Sequence, residues 1–155
     1  MKSKSFKACL IGILAAFSIL AYAAPVAGDY DKVIKEYIES QMNGDYKILK
    51  KIMSDNAAFN IPRAEKVVVQ TKPEILTTMK EVGEAKHECR VTYEVVARSN
   101  ALVMAQVEFS YPNCTQQNFL VLEKDDNKEW KIAQVYKIFN DKEPIQIQEK
   151  AIANN

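Results

Sequence analysis

The hydrophobic period of this chain changes at Gly83. Before it, apolar residues recur three and four apart; after it, they alternate with polar ones. A chain that opens on amphipathic helices and closes on consecutive alternating segments reads as α+β, its helices gathered against an antiparallel sheet. Tyr30, Val33, Ile34, Tyr37, Ile38 and Met42 mark a first helix, capped by Asp29 or Asp31 and stopped by Asn43-Gly44. Asp45 caps a second helix, on which Tyr46, Leu49, Ile52 and Met53 share a face. Ala57 to Ile61 reads as a short strand ended by Pro62, and Val67 to Val69 as another. Thr71-Lys72-Pro73-Glu74 is a capping box with proline in the first turn. The helix that it starts runs to Val82 and stops at Gly83.

Four long strands follow. Cys89, Val91, Tyr93, Val95 and Ala97 alternate with Arg90, Thr92, Glu94 and Arg98; Ala101, Val103, Ala105, Val107 and Phe109 alternate with Met104, Gln106 and Glu108. The third strand is centred on Phe119 to Leu122 and the fourth runs from Trp130 to Phe139, with Asp125-Asp126-Asn127 turning between them. Opposite residues in a hairpin share a face, so the two apolar sets of the first hairpin must meet. A two-residue turn at Ser99-Asn100 crosses the faces. A three-residue loop, Arg98-Ser99-Asn100, sets Val95 against Val103, Val91 against Val107 and Arg90 against Glu108, with Asn100 left-handed. In that register Cys89 faces Phe109, and Glu94 and Glu108 lie on the outer face.

The N-terminus carries a separate message. Lys2, Lys4 and Lys7 precede an almost unbroken apolar run from Ala8 to Ala24, ended by Pro25. This is the pattern of a secretory signal peptide. Ala21-Tyr22-Ala23 offers small residues for a cut after Ala23, giving a signal at 1–23, a domain at 24–140 and a tail at 141–155. The expected location is periplasmic or secreted, with no membrane attachment after cleavage. A retained N-terminal anchor is the alternative, but the run of 17 residues is shorter than the roughly 20 that span a bilayer comfortably. Loss of the three lysines leaves 18 basic against 20 acidic residues. No basic stripe remains to bind nucleic acid. The 132 residues left can bury a core without metals or multiple staples.

Cys89 and Cys114 remain after cleavage. In an oxidising compartment they form either one disulfide or two separate buried thiols. The bond needs Cα atoms within roughly 7 Å, so the loop carrying Cys114 has to curl back across the neighbouring strand.

The order of elements, together with three segments, carries a family resemblance. Tyr37-Ile38-Glu39 through Asn43-Gly44-Asp45 joins the first two helices, Ser54-Asp55-Asn56-Ala57-Ala58-Phe59 enters the first strand, and Phe119 to Lys124 leads on to Trp130-Lys131-Ile132. Over about residues 29–140 the chain resembles the nuclear transport factor 2-like superfamily and, within it, the putative lumazine-binding branch of exported bacterial proteins. The resemblance implies a cone in which a curved sheet of four long strands, plus one or two short ones, wraps the helices. It also implies a pocket in the cone and dimers formed through the sheet. The fold hosts enzymes and non-catalytic binders alike.

No catalytic residue, metal ligand or cofactor site is assigned. Isomerases of this superfamily use a carboxylate base at the first strand. Here Ala57-Ala58-Phe59-Asn60-Ile61 has no acid, and the nearest, Asp55, suits a turn cap. His87 is the only histidine; with Glu84 and Glu88 it makes a weak metal signal, and with Cys89 a weak nucleophile signal. Tyr37, Tyr93, Tyr111 and Tyr136 fall on apolar faces, where each is either a core phenol or a group that orients a ligand. Arg63, after Pro62, is either a pocket-mouth cation or a solvated loop residue. Val96, Leu102 and Met104 make an apolar patch on the outer face that suits a homodimer or cover by Ile145, Ile147 and Ile152. The leading expectation is an exported, non-catalytic module that binds a small, partly apolar ligand. An isomerase, dehydratase or hydrolase and a protein–protein module using the sheet face are the alternatives.

Overall fold

The structure, a computed structural model, describes residues 29–142; the expected signal segment and the isoleucines of the tail lie outside them. Three helices, α1 (Asp29–Asn43), α2 (Tyr46–Ile52) and α3 (Lys72–Val82), pack against one six-stranded sheet. Its strands are β1 (Met53–Arg63), β2 (Lys66–Thr71), β3 (Arg90–Arg98), β4 (Leu102–Ser110), β5 (Cys114–Lys124) and β6 (Trp130–Asp141), in the order β2-β1-β6-β5-β4-β3. Among the described strands β1 and β6 run parallel and the other neighbours antiparallel.

The local signals act as their chemistry requires. Asp45 accepts from the N–H groups of Lys47 (2.8 Å) and Ile48 (3.1 Å), capping α2. The Glu74 carboxylate accepts from the Thr71 N–H (2.7 Å) and hydroxyl (2.8 Å), closing the start of α3; these bonds hold its carboxyl below the usual range. Gly44 sits at φ +66°, and a Cβ there would meet the Gly83 carbonyl oxygen at 2.8 Å and the Ala85 nitrogen at 3.0 Å. Two turns pass backbone against backbone at that point, so only glycine fits.

The core is the helix faces laid on one side of the sheet. Ile34 and Tyr37 of α1, Leu49 of α2, Val103 and Val107 of β4, Leu120 and Leu122 of β5 and Ile132 and Val135 of β6 are all fully buried. The odd-numbered set of β4 therefore forms the inner wall, as its alternation predicts.

Three details differ from the sequence reading. β1 begins at Met53, expected on the second helix, and runs through Pro62 to Arg63, because Met53 pairs with Ile132, and Pro62 pairs with Val67 of an edge strand where the sheet tolerates the missing donor. The first hairpin closes on Asn100-Ala101. The Ser99 N–H donates to the Leu102 carbonyl (2.7 Å), and the Ser99 hydroxyl oxygen accepts from the N–H groups of Leu102 (3.0 Å) and Ala101 (3.3 Å). That two-residue turn crosses the faces, and a bulge at Val96 uncrosses them, so that Val95 faces Ala105 and Val91 faces Phe109. Arg90 then meets Ser110 and Thr92 meets Glu108; Val96 lies in the bulge rather than opposite Leu102, and Asn100 is not left-handed. The third difference is a register shift in β6, where Val121 faces Gln134 but Leu122 faces Ile132. Ala133 is the extra residue. Its bulge reverses the alternation of everything that follows.

Candidate functional site

The reversal at Ala133 builds the site. Ile132 and Val135 both face the core, so Lys137 and Phe139 continue inward and Tyr136 turns outward. Lys137 stands opposite Asn118 of β5, which is fully buried. Its ammonium lies over the ring of buried Phe59, 4.8 Å from the centroid, and donates to Gln41 Oε1 of α1 at 2.8 Å. The side chain as a whole is half-buried, and desolvation of its ammonium is the cause that lowers its pKa from 10.5 to about 8. Among the described residues no carboxylate pairs with it.

The orientation of the Gln41 amide follows from this contact. An ammonium only donates, so the atom facing it is the amide oxygen. Gln41 Nε2 then points elsewhere, is shielded from solvent and has no partner. A shielded amide donor without an acceptor is destabilising by about 1–3 kcal/mol.

A second polar chain lies alongside. Asn118 Nδ2 donates to the Tyr37 phenol at 2.8 Å, and Gln116 Nε2 donates to Asn118 Oδ1 at 3.0 Å. Burial holds the Tyr37 phenol far above its ordinary pKa, despite the opposing hydrogen bond from Asn118. Further out, the exposed Arg63 guanidinium stacks on Phe139, 5.4 Å from the ring centroid. Lys137 and Arg63 thus place two cations, one inside and one at the rim, each on an aromatic face. Asp141 is the acid furthest out on this alternation of β6; it is exposed and pairs with neither cation.

The other sequence candidates scatter. Tyr93 is partly exposed, and its phenol donates to Asp31 at 2.6 Å, joining β3 to the first turn of α1. The Lys35 ion pair (2.6 Å), and after it the Tyr93 bond, hold the Asp31 carboxyl below its usual range. Tyr136 is 44% exposed on the outer face, against the expectation of an inward phenol, because of the Ala133 bulge. Tyr111 is half-buried at the end of the sheet beside His87, 6.3 Å between ring centroids. Burial, then the neighbouring Cys89 and Cys114 thiols, push its phenol up to about 12. Asp55 is fully exposed and pairs with Lys72 at 3.1 Å, away from the interior.

The Cys89–Cys114 disulfide is not formed; both are free thiols. The Tyr111 N–H donates to the Cys114 carbonyl (2.9 Å), and Arg90 faces Ser110 in the adjoining row. Tyr111 therefore lies between the two cysteines. Two strand spacings separate them, roughly 9.6 Å, beyond the reach of a disulfide.

The sequence reading found no polar constellation on the inner face. The signals were present. Gln41 lies one helical turn after Tyr37, and Lys137 alternates with Val135 and Phe139. Asn118 alternates with Leu120 and Leu122.

Helices held against one face of a six-stranded sheet, with a polar cluster between them, define a protein of the nuclear transport factor 2-like class. Within that class, the chain belongs to the family described as "Putative lumazine-binding", which matches residues 28–140. An NTF2-like protein of unknown function from Silicibacter pomeroyi superposes with a TM-score of 0.61 at 13% identity, over 72% of this chain and 93% of that one. An NTF2-like protein of unknown function from Methylobacillus flagellatus gives 0.57 at 17% identity, over 75% and 96%. A ketosteroid isomerase-like protein from Erwinia carotovora atroseptica gives 0.53 at 14% identity, over 74% and 94%. At these identities the likeness is one of fold. No curated protein matches the sequence.

Proposed function

We propose that this is an exported, non-catalytic binding protein that holds a small, partly apolar ligand in its cone. The observation that carries the reading is the shielded, unpartnered Gln41 Nε2 beside Lys137, at the edge of the packed core of Phe59, Val107, Leu120 and Val135. Isolated polar groups in an apolar concavity are what fix the orientation of a small molecule. The family description, "Putative lumazine-binding", fits a ligand of this size. The non-catalytic part rests on composition: Ser40 and Asn118 are the buried polar residues among those described, and neither is an acid that could serve as general base. Export rests on the first 23 residues. Self-association through the outer face rests on Val96, Leu102, Met104 and Tyr136, which are 36–58% exposed.

The experiment is native mass spectrometry of the protein purified from its own host, with intact-mass analysis of the N-terminus. A non-covalent small molecule released on denaturation, on a chain beginning at Ala24, supports the reading. A chain retaining residues 1–23 refutes cleavage after Ala23. Protein that carries nothing, and does not respond to added lumazine in a fluorescence titration, refutes the ligand.

The amine of Lys137 favours one competing reading. An unpaired lysine with a pKa near 8 can attack a carbonyl. Borohydride trapping with a simple keto acid, read as a mass increase that Lys137→Met abolishes, would establish the enzyme instead.

A further inference from the structure

We propose that the ligand is an anion, with a carboxylate or similarly acceptor-rich head seated on Lys137 Nζ and Gln41 Nε2 and an apolar, ring-sized body along the exposed Phe139. This rests on the reading of the cone as a ligand site and goes beyond it by stating the charge and polarity of what enters.

The argument is a donor count. Lys137 carries three N–H donors, of which Gln41 takes one. The Gln41 amide carries two more on a shielded nitrogen with no acceptor. Among the described residues, nothing charged compensates the ammonium from the elements packed around it. α1 presents Tyr37 and Gln41; β1 presents Phe59 and, at the rim, cationic Arg63; β5 presents Asn118 and Gln116. Asn118 is already committed, accepting from Gln116 and donating to Tyr37. The interior is thus rich in donors and poor in acceptors, and its formal charge is positive.

A buried, unpaired cation is unfavourable unless something neutralises it. A carboxylate supplies both the charge and the lone pairs that Gln41 Nε2 lacks. Arg63, on the Phe139 ring at the rim, adds a second positive centre along the way in. Charge complementarity of this kind rewards an anion over its neutral isostere. The lowered pKa of Lys137 agrees with this. Desolvation weakens the ammonium, and an anion beside it would restore its affinity for the proton.

A matched pair of probes tests it: 2-naphthoate and 2-naphthamide, which share a ring and differ in charge. Each is titrated into the protein by calorimetry at pH 7, with Lys137→Met and Gln41→Leu as variants. The expected result is that naphthoate binds about tenfold tighter than naphthamide. Lys137→Met should bring the two within about threefold by weakening naphthoate alone. Gln41→Leu should weaken both probes, because each offers Gln41 Nε2 an acceptor oxygen. In the wild-type protein, where no variant can misfold, naphthoate should raise the titration midpoint of the Lys137 amine followed by NMR. Equal affinities, indifferent to both variants, would overturn the anion and leave the cone as a neutral-ligand site. Binding of neither probe, with no shift at Lys137, would overturn the anion and the cone reading together.

Discussion

The Tyr37 phenol and the Asn118 amide, 81 residues apart, hold each other at 2.8 Å where both side chains are fully buried. Tyr37 belongs to the helix and Asn118 to a central strand, so this bond fixes how α1 sits across the sheet. It also sets the position of Gln41, one helical turn on, against Lys137.

Breaking that bond from one side strands the other partner. Tyr37→Phe leaves Asn118 Nδ2 without its acceptor and should destabilise the fold by about 1–3 kcal/mol in urea unfolding. Asn118→Leu strands both the phenol and Gln116 Nε2 and should cost at least as much. The double variant should lose less than the sum of the two, by at least about 0.5 kcal/mol, because the same bond is removed twice. Simple additivity would contradict the contact.

Lys137 should make stability depend on pH in an unusual direction. Its pKa is depressed in the fold, from 10.5 to about 8. Between those values the unfolded chain binds a proton that the native chain has released, so stability rises with pH across this window. Tyr37 acts oppositely, its raised pKa lowering stability above about pH 10, so the clean interval is about pH 8 to 10. Lys137→Met should be more stable than wild type at pH 7, by roughly 1–3 kcal/mol, and the difference should shrink by pH 10. Urea midpoints at pH 7, 8, 9 and 10 measure this. A variant less stable at pH 7 would contradict a buried, uncompensated charge.

The cysteines should stay reduced. With Tyr111 between Cys89 and Cys114, protein unfolded without reductant should yield two reactive thiols from these positions per domain. A domain two mass units lighter, with neither thiol reactive, would show that Tyr111 does not hold them apart.

The parts of the molecule that a sequence shows are those governed by neighbours along the chain. The Asp45 cap, the Thr71–Glu74 box and the stop at Gly83 each depend on residues within four positions, and each was legible. Parity was legible as well: the inner wall of Val103, Ala105, Val107 and Phe109 follows from alternation alone. The bulges were not. A bulge at Val96 or Ala133 leaves composition unchanged and trades one ladder bond for a reversal of faces, a choice made by the partner strand and by packing. That explains the misplacement of Tyr136 and the oversight of Lys137, since one inserted residue exchanges them. The choice between a disulfide and two thiols was not legible for a related reason, because evenly counted cysteines carry no information about which residue lies between them.

The account turns on Lys137 lying inside the cone as an ammonium without a counter-charge. The most direct measurement is an NMR titration of that side chain in the ligand-free protein, following its Cε or Nζ resonance from pH 6 to pH 12. A midpoint close to 8 is the predicted result. A midpoint near the ordinary lysine value of about 10.4 would place the amine in water and contradict the site built on it.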